Sequence, residues 1–149
     1  MELSEFRNTL WDYVRYLRTS LDCLFRPLVE ELGLTMLQAR ILVELQTIGE
    51  ITVGDLGEHL GTGSGNVSTM CKRLEQLGYV TRERARHDER VVFISLTDEG
   101  REILNLLEKE IASRYERVIS TWPQEDFELI YAAHKKVKEI LSAMLRQSE

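Results

Sequence analysis

The chain has 149 residues, 43% hydrophobic and 30% charged, with a net charge of −6, values that suit one globular domain with a sizeable core. No apolar run approaches the roughly 20 residues that a membrane span needs, and the opening Met-Glu-Leu-Ser-Glu lacks the basic-then-apolar pattern of a secretory signal. Two cysteines, Cys23 and Cys71, give no disulfide framework, so a reducing cytoplasm is the expected location.

The first segment repeats apolar residues at helical spacing: Leu3, Phe6, Leu10, Val14, Leu17, Leu21, Leu24, Leu28 and Leu32. Pro27 interrupts it and is expected to kink it, and Gly33 with Leu34 reads as its C-terminal cap. Thr35-Met-Leu-Gln38 has capping-box spacing and opens a second helix to about Ile48. That helix is apolar nearly all round (Leu37, Ile41, Leu42, Val43, Leu45), which predicts a central position.

Thr52 can cap a short third helix with Val53, Leu56 and Leu60 inward. The turn Gly61-Thr-Gly-Ser-Gly65 leads into a fourth helix that ends near Leu77-Gly78 and is expected to bury Val67, Met70, Cys71, Leu74 and Leu77. Tyr79–Arg84 and Arg90–Leu96 are rich in β-branched and aromatic residues and predict a hairpin. Thr97 starts a fifth helix with Asp98 and Glu99 in its first turn and a stripe of Ile103, Leu107, Ile111, Tyr115, Val118 and Trp122. Pro123 marks the last helix, with Phe127, Ile130, Val137, Leu141 and Met144 on one side.

The expected fold is mainly α: a winged helix–turn–helix, in the order α-α-α-α-β-β-α-α, with long terminal helices forming a dimerisation region. Residues 1–149 form one domain, with 35–97 as the nucleic-acid-binding lobe and 1–32 and 98–149 as the helical dimerisation region. A helix–turn–helix protein normally needs two half-sites, so a homodimer is expected.

The acidic total argues against a nucleic-acid partner until its distribution is considered. Residues 61–96 carry six basic and four acidic side chains, +2 locally against −8 elsewhere, so the basic charge gathers on the fourth helix and hairpin. On that helix the face opposite the core carries Ser64, Asn66, Ser68, Thr69, Lys72, Arg73 and Gln76. The short polar residues suit base edges and phosphates, and Lys72 and Arg73 suit backbone phosphate. Gly63 and Gly65 would let the backbone approach a duplex closely.

At the hairpin tip the carboxylate of Asp88 is expected to hold the Arg90 guanidinium extended by a charge-assisted bond. Arg90 is then shaped for a DNA minor groove, with Arg86 as a second tip candidate and Arg84 as a phosphate contact. The candidate DNA-binding set is Ser64, Gly65, Asn66, Ser68, Thr69, Lys72, Arg73, Arg84, Arg86, Asp88 and Arg90. The alternative is a winged-helix protein–protein module.

Residues 52–100 resemble the MarR (multiple antibiotic resistance regulator) family of winged-helix transcription factors. The matching motifs are Asp88-x-Arg90, the five-residue spacer, Leu96-Thr97-Asp-Glu-Gly100 and Arg73-Leu-Glu-Gln-Leu-Gly78. The resemblance implies a homodimer on a palindromic double-stranded operator, usually a repressor, released by a small ligand or an oxidant. It also implies an effector cleft where the first, second and fifth helices meet the DNA lobe, for a small aromatic or anionic ligand. Trp11, Tyr13, Arg15, Tyr16 and Arg18 of the first helix are candidate walls for it. Peroxide-sensing relatives carry a reactive cysteine in the first helix, but the matching position here, counted from the shared proline, falls near Trp11 rather than Cys23.

No other chemistry is expected. His59, His87 and His134 lack metal-ligand spacing, His59 is expected to be packed or capping, and no cofactor or metal is implied. No Ser–His–Asp or paired-carboxylate arrangement supports an enzyme.

Overall fold

The computed structural model describes residues 2–88 and 90–147, with the side chain of Ser64 outside that description. The chain divides into two compact units, residues 1–111 and 112–149.

The first unit opens with α1 (Leu3–Glu31), which runs through Pro27 without ending there. Proline removes one backbone bond, and burial of the next two residues, Leu28 and Val29, holds the final turn. Gly33 (φ +73°) closes the helix, and the N–H of Leu34 reaches back to the carbonyl of Val29 at 3.1 Å, the bonding that a left-handed glycine permits. α2 (Met36–Ile48) starts on the expected capping box: Thr35 Oγ1 accepts from the Gln38 N–H, and Gln38 Oε1 from the Thr35 N–H.

A strand that the residue pattern did not predict, β1 (Ile51–Thr52), comes next. Two residues cannot display a period-2 pattern, and the strand exists only through its partner β3. α3 (Val53–His59) is capped by the Thr52 hydroxyl, and α4 (Ser64–Gln76), β2 (Val80–Arg84), β3 (Val92–Leu96) and α5 (Asp98–Ile119) follow. The sheet is antiparallel in the order β1-β3-β2, with Ile51 opposite Ile94 and Val80 opposite Leu96.

The core of this unit is Leu28, Ile41, Leu42, Leu45, Leu56, Val67, Cys71, Leu74, Ile94 and Leu104, all at most 2% exposed. Each fully buried large aliphatic contributes on the order of 1.5–3 kcal/mol. The α1 stripe largely stays outside it: Leu3, Val14, Leu17, Leu21 and Leu24 are exposed.

The second unit holds the end of α5 and α6 (Gln124–Leu145), which Pro123 precedes as N-cap. Among its described residues none is buried, and Ile130, Leu141, Met144 and Leu145 face outward. No helix among the described residues is long and apolar enough to cross a membrane.

Candidate nucleic-acid interface

α4 begins after a glycine-rich turn, and its N-cap, Gly63, offers no side chain to the first-turn amides. The Asn66 N–H turns back to the Gly63 carbonyl at 3.1 Å, and the amides before it carry the positive end of the helix dipole and suit an outside acceptor. Val67, Cys71 and Leu74 anchor the helix in the core at 0% exposure. Met70 is only half-buried and Leu77 is 38% exposed, contrary to the expected stripe. Leu77 is the C-cap, so no further turn exists to cover it.

The opposite face presents Gly65, Asn66, Thr69, Lys72 and Arg73 to solvent, with Ser68 half-buried. Thr69 Oγ1 donates to the Gly65 carbonyl at 3.0 Å, and Arg73 Nη1 to Gln76 Oε1 at 3.2 Å. Ser64 occupies the first helical position, and its side chain lies outside the described residues.

The hairpin forms as expected, with the strands starting slightly later, at Val80 and Val92. Arg90 therefore belongs to the tip and not to a strand. Arg84, Arg86, Asp88 and Arg90 are all exposed, and Glu89 lies outside the described residues. The expected Asp88–Arg90 contact takes a different form. Asp88 Oδ1 accepts from the backbone N–H of Arg90 at 3.0 Å, and no Asp88–Arg90 ion pair is found among the described residues. At a two-residue separation an aspartate reaches the following main chain more readily than the end of a long side chain, which makes an Asx-type turn. The Asp88 carbonyl also accepts from the Val91 N–H at 3.0 Å.

A groove of about 570 Å³ lies between the tip end of the hairpin and the starts of α3 and α4, and Gly65, Ser68, Arg82, Arg90, Thr52 and Asp55 help to line it. It brings Arg90 together with Ser68 and Gly65, while Arg84, Arg86 and Asp88 lie outside its lining. Arg82 was not among the expected site residues. Its side chain is 15% exposed, its Nη1 sits 3.2 Å from Glu75 Oε2, and its buried Nε finds no protein partner among the described residues. Strand alternation from the buried Val80 already places position 82 on the inner face. Burial pushes the Cys71 thiol up to about 11, with the nearby Arg82 charge pulling weakly the other way.

The Leu96-Thr97-Asp-Glu-Gly100 motif acts as a clasp. Thr97 Oγ1 donates to the Gly78 carbonyl at 2.7 Å and accepts from the Gly100 N–H at 3.0 Å, capping α5. The Thr97 N–H donates to the Tyr79 carbonyl at 3.1 Å. A Cβ on Gly100 would stand 2.1 Å from that same oxygen. Gly78 (φ +79°) is itself the residue that closes α4, through the Tyr79 N–H to Leu74 carbonyl bond at 3.0 Å.

A second cavity, of about 350 Å³, is walled by Phe25 and Val29 of α1, Met36, Ala39 and Val43 of α2, and Leu107 and Ile111 of α5. Arg40, Glu44 and His59 supply its polar groups. Arg40 donates to the Leu60 carbonyl at 3.3 Å, and Glu44 Oε1 stands 3.5 Å from His59 Nδ1. His59 is more than half exposed, so it is not packed as expected. Trp11, Tyr13, Arg15, Tyr16 and Arg18 do not line this cavity. Even Arg18 lies seven residues before Phe25, about 10 Å along the helix, and it borders a separate groove with Leu21 and Leu37. No group of three or more metal-ligating side chains gathers among the described residues.

The model of the MarR family matches residues 32–91. The organic hydroperoxide resistance transcriptional regulator of Bacillus subtilis is 42% identical over 76 residues, a match covering 51% of this chain and 52% of that regulator. The transcriptional repressor MdtR of the same organism is 32% identical over 133 residues, covering 82% of each chain. Among solved structures, reduced AbfR bound to DNA superposes with a TM-score of 0.68 at 26% identity, covering 95% of this chain and 99% of that one.

Proposed function

The chain belongs to the MarR family, and on that premise we propose that it is a homodimeric, sequence-specific transcriptional regulator of a palindromic operator. It is a binding protein and not an enzyme. The observation that carries this reading is the groove shared by Arg90 of the hairpin and Gly65 and Ser68 of α4. A helix whose open N-terminus enters the major groove leaves the hairpin beside the adjacent minor groove, with the intervening phosphates passing between them.

In this reading residues 35–97 are the DNA-binding lobe. Gly65, Asn66, Ser68 and Thr69, with Ser64 beside them, meet base edges and phosphates. Lys72, Arg73 and Arg84 neutralise phosphate, and Arg90 with Arg86 enters the minor groove. Residues 1–32 and 98–149 dimerise through the exposed apolar residues of α1 and α6. The cavity walled by α1, α2 and α5 takes a small, largely apolar effector whose binding releases the operator, and the protein acts as a repressor, as its relative MdtR is named.

Fluorescence polarisation against the DNA upstream of the protein's own gene, at two salt concentrations, tests the reading. Tight, sequence-selective binding that weakens steeply with salt is expected. Absent or salt-insensitive binding would leave a winged-helix protein–protein module in its place.

A further inference from the structure

The clasp at Thr97 lines neither of the two cavities. One end of it is α5, whose Leu107 and Ile111 wall the effector cavity ten and fourteen residues further on. The other end is the pair Gly78 and Tyr79, the residues that close α4. An uninterrupted helix spans that interval, roughly 20 Å at 1.5 Å per residue.

We propose that Thr97 and Gly100 are positioning residues that turn displacement of α5 at the cavity wall into movement of the end of α4. The inference rests on the reading of α4 as the DNA-contacting helix. Three contacts carry it. The Thr97 side chain and main chain bond two successive carbonyls of the α4 exit, Gly78 and Tyr79. The Gly100 backbone lies directly on the Tyr79 carbonyl with no room for a methyl group, so no side chain is present there to deform. Leu104, 2% exposed, anchors α5 in the core between clasp and cavity. Close-packed elements of this kind shift together and do not yield locally. A ligand that forces Leu107 and Ile111 outward therefore moves the first turn of α5, and Gly78 and Tyr79 move with it.

The test is a double-mutant cycle on the full chain with the upstream DNA. Ala39→Leu fills part of the cavity and stands in for an effector, and Thr97→Val removes the hydroxyl while keeping the shape. Ala39→Leu is expected to weaken operator binding about tenfold in the native background, within the 5–150-fold range of ordinary allosteric coupling. In the Thr97→Val background the same change should cost less than about threefold, and Thr97→Ser should restore the full effect. Equal losses in all three backgrounds overturn the proposal. If Ala39→Leu does not fold, Val43→Phe, on the half-open wall of the same cavity, replaces it.

Amide exchange at Leu77, Gly78 and Tyr79 gives a DNA-free readout. It should change on cavity filling when residue 97 is Thr or Ser and stay constant when it is Val. Exchange that responds identically in every background refutes the linkage even if DNA binds. A linked exchange response in a chain that ignores its upstream DNA would instead refute the DNA reading alone.

Discussion

The carboxylate of Asp88 accepts a hydrogen bond at 3.0 Å from the backbone N–H of Arg90. The acid shapes the loop from which the arginine projects, and it leaves the guanidinium's donors available to the groove and to whatever enters it. Its role is conformational, so its charge matters less than its acceptor oxygen.

Asp88→Asn should therefore bind operator nearly as well as the native protein, because an amide oxygen can keep the turn. Asp88→Ala should bind more weakly. Arg90→Ala should weaken binding and flatten the slope of log affinity against log salt by about one. Titrations over four salt concentrations read all three. An Asn variant as impaired as the Ala variant would return the acid to a charge-based role.

Two glycine-to-alanine changes should move stability in opposite directions. Gly100→Ala places a methyl 2.1 Å from the Tyr79 carbonyl oxygen and 3.0 Å from Leu96 Cδ2, and overpacking of this kind costs about 1–3 kcal/mol. Gly65→Ala meets nothing within 4 Å in an ordinary helical conformation, so it should gain about 0.4–1 kcal/mol. Urea unfolding midpoints check both signs.

Cys71 should resist thiol reagents in the folded protein, while the exposed Cys23 reacts. Burial pushes the Cys71 thiol up to about 11 from its ordinary 9.0, so the folded state holds its proton more tightly. That contribution is complete below pH 9 and is lost as the pH rises from 9 towards 11, by roughly 2–3 kcal/mol. A Cys71→Ala variant, whose stability lacks this alkaline decline, is the comparison.

Leu141→Glu together with Leu145→Glu should convert a dimer to monomers, since these residues are 39% and 70% exposed on α6 and charge on an apolar seam opposes association. Light scattering after size exclusion reads the mass. A circular dichroism spectrum with native helix content separates dissociation from unfolding.

The helices were legible because their periodicity and their caps agree. The Thr35–Gln38 box and the Gly33 closure both formed where side-chain chemistry alone placed them. β1 was not legible, since two residues borrow their strand character from Phe93 and Ile94. The groups of the candidate site were largely foreseeable as surface charges, but their arrangement was not. Spacing could put Asp88 near Arg90 without saying which atom of the arginine it would hold. Arg82 is on the inner face by strand alternation from Val80, but a charged residue in a strand reads as solvated, and the packing against Glu75 shows how far it is buried. The walls of the α1–α2–α5 cavity depend on which turn of a 29-residue helix meets its neighbours, which no local pattern specifies.

Gly63 leaves the first turn of α4 without a side-chain cap. Serine or aspartate in its place could accept from a first-turn amide in the free protein, and aspartate would also set a negative charge where the proposed DNA contact places a phosphate. In the proposed complex a backbone phosphate would supply the cap that Gly63 does not. Heat resistance and DNA affinity are set against each other at a single position, and a Gly63→Asp protein should melt higher while holding its operator less well.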